Sequence, residues 1–176
     1  EARKQARQYE KAGWKVNPGS LPMEKTLEQA WIKQMELDDQ GNTKYITSDG
    51  NGIAGNKTAA ELQAIETGKL QLAGMLETRV AALVSANIAN TELSNQEAET
   101  VTEVIGNSKN IIAKQMGYIN PYFKMFRRLD NGNVEVQVKL FYNAEEAEVM
   151  AKKAIKQELK TKLKKNEEDL KKLMGM

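Results

Sequence analysis

The segment from residue 56 to residue 90 constrains the fold of this chain most, because its apolar residues recur at helical spacing. One stripe of the predicted helix carries Ile65, Gly68, Leu72, Leu76, Val80 and Leu83. A second row, beside the first, carries the small residues Ala60, Ala64, Gly68 and Ala73. We therefore expect one long helix that is buried along one side, and that another element approaches closely along its row of small residues.

A hairpin is predicted in the second half of the chain. Asn131 and Gly132 lie at the centre of the turn Asp130 to Asn133, and Asn-Gly tolerates the positive φ angles of tight turns. After the turn, Val134, Val136, Val138, Leu140 and Tyr142 alternate with Glu135, Gln137, Lys139 and Phe141. This alternation predicts a strand over residues 134 to 142 with one buried face and one mostly solvated face.

Two further strands complete the predicted sheet. Tyr118 to Leu129 is predicted as an extended segment interrupted at Pro121, and Tyr45 to Thr47 as a brief strand before a glycine-rich loop, Asp49 to Gly55. The fold class is therefore predicted as α+β, with a small antiparallel sheet of about three strands packed on one side by long helices.

Capping residues, turn residues and short apolar patterns predict the remaining elements. These are a helix from Glu1 to Lys11, an edge strand from Trp14 to Val16, a helix capped by Ser20 with Pro22 in its first turn, a helix that starts at the capping box of Ser94 and Glu97 and ends before Gly117, and a lysine-rich helix over residues 144 to 173. Trp31 is predicted to be a packing residue. No internal repeat or long linker occurs, so we predict a single domain over residues 1 to 176.

The amino-acid composition removes much catalytic chemistry. The chain has no cysteine and no histidine, which removes thiol nucleophiles, thiolate metal sites and the usual general base near neutral pH. A formal net charge of +2 gives no reason to expect a polyanionic partner for the whole chain. The carboxylates are scattered among lysine neighbours, and no two form an obvious acid and base pair. We predict that the protein is not an enzyme and that it uses no cofactor and no metal.

The chain begins at Glu1 rather than at a methionine, so we expect that an upstream piece, such as a signal segment, has been removed or left out. No run approaches about eighteen consecutive apolar residues, so no membrane span is predicted within these residues. The absence of cysteine does not distinguish between compartments, because a secreted protein can lack disulfides.

The glycine-rich segment from Gly50 to Thr58 has the strand-to-helix position of a phosphate-binding loop. In a P-loop the lysine directly follows the second spaced glycine, whereas Asn56 intervenes here. We therefore expect a flexible turn and a helix cap rather than a nucleotide site. Asp49 to Asn51 and Asp130 to Asn133 look faintly like calcium loops, but neither has the bidentate glutamate at the required distance, so both are predicted to be turns.

Aromatic and cationic residues are interleaved on the strand before the hairpin turn. The candidate surface-binding residues are Tyr122, Lys124, Phe126, Arg128 and Lys139. Such a surface is typical of single-stranded nucleic-acid binders, on which bases stack. The alternative is a half-buried strand with core aromatics and solvated cations. Because no Arg/Lys-Gly-aromatic sheet signature is present, nucleic acid is not the expected partner, and it is kept as the second hypothesis.

The C-terminal part of the chain is rich in lysine. Nine lysines and four acids lie between Lys152 and Lys172. This face is predicted either to be solvated or to be attracted to an anionic lipid or another acidic surface. Leu170 and Leu173 are expected to lie beyond the edge of the domain, where they need cover, and this indicates a homo-oligomer as a candidate assembly.

The long helix also carries a recognisable row of residues, namely Ala60, Ala64, Gly68, Leu72, Ala73, Leu76 and Val80. This row, with the turn Asp130 to Asn133 and the strand Val134 to Leu140, resembles the twenty-kilodalton lipoprotein family of the bacterial envelope, whose domain also occurs in flagellar-assembly proteins. The likeness covers about Lys44 to Ala154. Gly68 stands where alanine is usual in that family, and the lipobox cysteine of the family is not in this chain.

The resemblance implies an exported α+β domain in the bacterial cell envelope, in the periplasm or at the outer membrane, without known catalysis. A lipid anchor, if present, lies upstream of Glu1. The resemblance implies no site residues. Our first hypothesis is a noncatalytic, lipoprotein-like binding or structural module whose partner is a protein or an envelope polymer. An enzyme that uses carboxylate or lysine chemistry is the third hypothesis, after the nucleic-acid binder.

Overall fold

The computed structural model describes residues 1 to 176, which form two compact units. The sheet unit comprises Glu1–Gln71 and Tyr118–Ala144, and the helical unit comprises Leu72–Gly117 and Glu145–Met176. The long helix contributes residues to both units. The predicted single domain over residues 1 to 176 stays a prediction.

Seven α-helices and three strands make up the chain. Their bounds are α1 Ala2–Lys11, α2 Met23–Gln34, β1 Tyr45–Ala54, α3 Lys57–Asn87, α4 Asn95–Gly106, α5 Ser108–Met116, β2 Phe123–Arg128, β3 Val134–Asn143, α6 Ala144–Lys162 and α7 Glu167–Leu173. A short 3-10 turn, Ile88–Asn90, follows α3. The prediction of an α+β fold with a small antiparallel three-stranded sheet packed against helices is confirmed.

The sheet has the strand order β1-β3-β2, and both strand pairs are antiparallel. The predicted hairpin joins β2 to β3, with Gly132 at φ +83° and the Leu129 N–H bonded to the Asn133 carbonyl at 2.8 Å. In the register, Gly50 lies opposite Val138 and Asp49 opposite Lys139. Even-numbered residues of β1 and β3 thus share one face of the sheet, and odd-numbered residues share the other.

The glycine-rich segment is a strand, so the prediction of a flexible loop from Asp49 to Gly55 was wrong. A Cβ on Gly50 would lie 1.9 Å from the carbonyl oxygen of Ala64, and a Cβ on Gly52 would lie 2.2 Å from that of Ala60. Glycine is therefore needed for close approach between β1 and α3, not for a turn. The row of small residues on α3 is the surface that β1 approaches, as the sequence predicts.

The same contact continues at Gly68, where a Cβ would lie 2.8 Å from a methyl carbon of Leu140. The buried Ser48 hydroxyl donates to the Gly68 carbonyl at 2.8 Å. At the start of α3, the Asn56 side chain accepts from the Ala59 N–H at 2.9 Å, so the residue that interrupts the P-loop pattern acts as the cap. We call the face of the sheet that contacts α3 the helix face.

The opposite face of the sheet is also partly covered. Phe123 and Met125 of β2 are buried in a cluster with Ala6, Trp14, Met23 and Leu27, which come from α1, α2 and the segment between them. The predicted edge strand from Trp14 to Val16 is reduced to a single bridge, in which Lys15 and Phe126 exchange two backbone hydrogen bonds. Helix α2 begins at Met23 with Pro22 at its N-cap, so the cap predicted at Ser20 was wrong.

The helical unit begins with the second part of α3 and contains the predicted capping box. Ser94 accepts from the Glu97 N–H at 3.2 Å, and Glu97 accepts from the Ser94 N–H at 2.8 Å. This backbone hydrogen bond lowers the pKa of Glu97 from its usual value. The single helix predicted from Ser94 to before Gly117 is two helices, because α4 ends at Gly106, α5 starts at Ser108, and Asn107 between them caps both.

The C-terminal segment is also two helices, so the continuous helix predicted over residues 144 to 173 was wrong. The side chain of Asn166 accepts from the Asp169 N–H and starts α7 anew. Leu170 and Leu173 are each 1% exposed, so they are not the uncovered residues that indicated self-assembly. A homo-oligomer stays a prediction without that support.

Most lysines of this segment have carboxylate partners in the helical unit. Those with an ion pair are Lys152, Lys156, Lys160, Lys162, Lys165 and Lys172. The shortest joins Lys156 to Glu167 at 2.6 Å. A lysine that already faces a carboxylate contributes less to a surface that attracts anions.

The stretch Lys57–Asn90 is long and apolar enough to cross a membrane by length and composition, with a mean hydropathy of 1.2 over its best eighteen residues. The core helix of a soluble protein meets the same two criteria. The apolar stripe predicted for α3 is buried at Ile65, Leu72, Leu76 and Val80, as in a helix that packs on a core. Over the eighteen-residue window as a whole, 28% is buried.

Candidate functional site

The sheet face opposite α3 carries the candidate site. Its odd-numbered β3 residues lie between two neighbours, so that Lys139 is opposite Asp49 of β1 and opposite Phe123 of β2. Helices α1 and α2 cover the β2 side of this face. Above the centre of the sheet the cover is incomplete, and a groove remains between the helices and the strands.

This groove has a volume of about 120 Å³ and lies entirely within the sheet unit. Its lining residues are Gln5 and Tyr9 of α1, Leu27 and Trp31 of α2, Asp49 of β1, Phe123 and Met125 of β2, and Gln137, Val138 and Lys139 of β3. We call it the groove, and the sheet face that it borders the groove face. Apolar and aromatic side chains form most of its walls, and a few polar groups converge on it, as in small-ligand sites.

An ion pair forms one polar part of the groove. Lys139 Nζ lies 2.9 Å from Asp49 Oδ1 across the β1-β3 pair. The Lys139 side chain is 17% exposed, whereas that of Asp49 is 56% exposed. The carboxylate therefore stands at the open side of the pair, where its remaining lone pairs can accept hydrogen bonds from a ligand.

Gln5 is the second polar group of interest, because its Oε1 is buried and accepts no hydrogen bond. Its Nε2 donates to the hydroxyl of Tyr9 at 3.4 Å, a long hydrogen bond. The opposite orientation of the amide also leaves a buried atom unpaired. The nitrogen would then take the buried position, where it has no acceptor. A buried polar atom without a partner costs roughly 1–3 kcal/mol, and this oxygen lies beneath the surface of the groove wall, since less than 1 Å² of it is exposed.

An aromatic cluster surrounds Lys33 elsewhere on the same sheet face. Lys33 Nζ lies 3.9 Å from the ring centroid of Tyr45, 5.3 Å from that of Tyr122 and 5.7 Å from that of Phe141. The Phe141 ring packs edge-on against both tyrosine rings, with centroids 5.9 and 5.1 Å away. These cation–π contacts attach the C-terminal turn of α2 to β1 and β3.

The structure divides the predicted surface-binding residues between the two faces. Lys124, Phe126 and Arg128 share the parity of the helix face, whereas Lys139 lies on the groove face, and Tyr122 precedes β2 and joins the aromatic cluster. Two of the three cations have carboxylate partners, since Lys124 pairs with Glu61 at 2.7 Å and Lys139 with Asp49. The set stays a prediction, but its members do not form one continuous surface.

Phe126 and Lys124 meet α3 at the margin of the helix face. Lys57 Nζ lies 3.7 Å from the centroid of the Phe126 ring and bonds to the side-chain oxygen of Asn17. Burial lowers the pKa of Lys57 from its usual value, and repulsion from Lys124 lowers it further. The aromatic ring that was a candidate stacking platform is therefore occupied by a lysine of the same chain.

Most groove residues could not be found from the sequence. Gln5 and Tyr9 of α1 are far in sequence from Gln137 of β3, and only the tertiary fold brings them together. The sequence predicts Trp31 only as a packing residue, and in the structure it also lines the groove. Asp49 was assigned to a loop, and its place on the groove face follows from the strand that replaces that loop.

The described residues contain no group of three or more His, Cys, Asp or Glu side chains placed to hold a metal ion. Asp49 to Asn51 lies within β1, and Asp130 to Asn133 forms the hairpin turn. The chain matches no family model, no curated protein and no solved structure. The lipoprotein-family resemblance therefore stays a prediction, and the groove must be interpreted from its own chemistry.

Proposed function

We propose that this chain is a noncatalytic binding module of the bacterial cell envelope, in the periplasm or at the outer membrane, and that the groove holds its partner. The partner is a protein or an envelope polymer. The observation that carries the binding role is the groove, which combines apolar walls with the Asp49–Lys139 pair and the carboxamide of Gln137. Such a combination favours recognition of a ligand group.

The absence of catalysis is supported by the chemistry of the groove. The chain has neither cysteine nor histidine, and the carboxylate and ammonium of the groove are paired with each other at 2.9 Å. Neither group is held ready to transfer a proton or to attack an electrophile. The groove is built to hold a group rather than to transform it.

The envelope location rests on the family resemblance. The two features that carry the resemblance are structural, namely the small-residue row of α3 and the β2-β3 hairpin. In the structure the first packs on β1, and the second supplies the central strand β3 and the edge strand β2. A lipid anchor upstream of Glu1 is part of this proposal. Cell fractionation that leaves the full-length protein in the cytosol would contradict the location.

Cosedimentation with isolated bacterial envelopes tests the binding role. Wild-type protein should sediment with envelopes, and Trp31→Ala should remain largely in the supernatant because it removes a wall of the groove. Ile32→Ala is the matched control, since Ile32 is the next residue of α2, is 62% exposed and does not line the groove. Equal sedimentation of the two variants would remove the groove from the proposal.

A further inference from the structure

The volume of the groove limits what it can hold. At about 120 Å³, it is smaller than the roughly 300–1,000 Å³ of sites that enclose a whole small molecule. It is also slightly smaller than the roughly 150 Å³ cavity that admits one benzene ring. The groove therefore accepts a single chemical group of about four to six non-hydrogen atoms, with the remainder of the ligand outside.

The walls of the groove indicate that part of this group is apolar. Leu27 and Met125 contribute aliphatic surface, and Trp31, Phe123 and Tyr9 contribute aromatic surface. A methyl group packs well against such rings, and the flat face of a larger ligand can stack on the half-buried Trp31 at the helix side.

The polar groups indicate that the rest of the group offers both a donor and an acceptor. The open side of the Asp49 carboxylate accepts a hydrogen bond from a donor. Lys139 Nζ and the carboxamide of Gln137 can donate to an acceptor. A donor and an acceptor must therefore lie within one small group that also carries a methyl.

We propose that the groove recognises the acetamido group of an N-acetylated amino sugar. Its four non-hydrogen atoms supply a methyl for the aromatic wall, an N–H for Asp49, and a carbonyl oxygen for Lys139 or Gln137. The sugar ring lies outside the groove, against Trp31. This inference rests on the proposed binding role of the groove and specifies its ligand chemistry.

Two-dimensional ¹H–¹⁵N NMR of the whole chain, titrated with N-acetylglucosamine, tests the inference. The Trp31 indole N–H and the side-chain amides of Gln5 and Gln137 are direct reporters, and Trp14, the other of two tryptophans, is an internal control. A monosaccharide held by one group should bind with a Kd on the order of 1 mM. The reporters should shift saturably, whereas the Trp14 indole signal should shift far less.

Sugars that lack the acetyl group provide the decisive comparison. Glucosamine and glucose should bind at least about tenfold more weakly than N-acetylglucosamine, because the methyl contact and the amide hydrogen bonds are lost. N-Methylacetamide, which is the group without the sugar, should shift the same reporters at higher concentration. Equal binding of glucose and N-acetylglucosamine, or no saturable shift of any reporter, would overturn the inference.

Gln137→Leu tests the carboxamide that lines the groove from β3. It should weaken N-acetylglucosamine binding about tenfold, because it removes a donor for the carbonyl oxygen. Gln8→Leu, the same substitution at an exposed position of α1, is the control and should bind like the wild type. Thermal unfolding of both variants checks that the fold is kept, and undiminished binding by a folded Gln137→Leu would overturn the geometry proposed.

The outcomes also separate this inference from the proposed function. If envelope binding depends on Trp31 but N-acetylglucosamine shows no preference over glucose, the groove is a binding site for a different group. If Trp31→Ala sediments with envelopes as the wild type does but N-acetylglucosamine binds in preference to glucose, the ligand chemistry is supported. The role of the groove in envelope binding is then contradicted.

Discussion

The two faces of one three-stranded sheet differ in how much space they leave. On the helix face, Gly50 and Gly52 bring β1 into contact with the backbone of α3, so that not even a methyl group fits between them. On the groove face, one residue away along the same strand, Asp49 lines an open groove. Because strand residues alternate between faces, β1 packs on α3 through Gly50 and Gly52 and lines the groove with Asp49.

This difference shows where sequence changes are tolerated. The helix face is specified by steric fit, and therefore by the smallness of its residues. The groove face is specified by chemistry, since long side chains there leave a cavity and an ion pair. Substitutions on the first face should change stability, and those on the second should change binding.

Gly50→Ala should produce the largest effect. The added Cβ would lie 1.9 Å from the Ala64 carbonyl oxygen and 2.8 Å from the Gly68 nitrogen, both backbone atoms that cannot rotate away. Separating β1 from α3 should cost about 3 kcal/mol or more of unfolding free energy, measured by urea denaturation. Gly55→Ala, where no atom lies within 4 Å of the added Cβ, should be nearly neutral. Similar losses in both variants would refute the close approach.

Leu140→Ala and Phe141→Ala compare the two faces at adjacent positions of β3. Leu140 is 0% exposed on the helix face, so its truncation should cost about 3–4 kcal/mol. Phe141 is half-buried in the aromatic cluster on the groove face, and its loss should cost only about 1–2 kcal/mol. Thermal and urea unfolding of both variants measure the difference. A larger loss for Phe141→Ala would reverse the assignment of structural and binding faces.

Gly68→Ala should have a smaller effect, because the obstacle is a side chain. The nearest atoms to the new Cβ are two side-chain carbons of Leu140, at 2.8 and 3.2 Å, and the Ser48 hydroxyl oxygen at 3.3 Å. Alanine gains roughly 1 kcal/mol of helix propensity over glycine, against an overpacking cost of about 1–3 kcal/mol. A net destabilisation of about 1 kcal/mol is expected. A stabilised variant would show that Leu140 moves aside easily, and that alanine, usual here in the resembling family, is compatible with this chain.

The extent to which the sequence predicts this structure differs between the two faces. The helix face was largely predictable, because the stripe and small-residue row of α3 are periodic, and so is the alternation of Val134 to Leu140. The sequence did not predict that a strand packs against this row, because Gly50 and Gly52 indicated a loop. Glycine has the same signal whether a turn or a close packing contact requires it.

The groove face was not predictable from local pattern. Gln5, Trp31 and Lys139 are far apart in the sequence, and nothing periodic connects them. Helix boundaries were missed for a related reason, because the breaks at Asn107 and Asn166 depend on how short helices pack and are capped. Topology determines which distant polar residues meet, and the sequence patterns here describe only individual elements.

Lys57→Met should produce the smallest effect, and only as a dependence of stability on pH. Lys57 lies at the margin of the helix face, and its pKa is lowered from 10.5 by burial and then by repulsion from Lys124. Between the folded and unfolded pKa values the unfolded state binds more protons, so wild-type stability should rise relative to Lys57→Met as pH increases toward 10.5. Urea unfolding of both proteins across that range measures the difference.

Lys124→Met should weaken the same pH dependence, because it removes the repulsion and leaves the Glu61 carboxylate to attract Lys57. Lys57 is partly desolvated, so it marks the edge of the region on α3 from which packing excludes water. Parallel pH profiles for wild type and Lys57→Met would show that water reaches this margin freely. The dry boundary of the helix face would then lie closer to Gly50 and Gly52 than the position of Lys57 over Phe126 indicates.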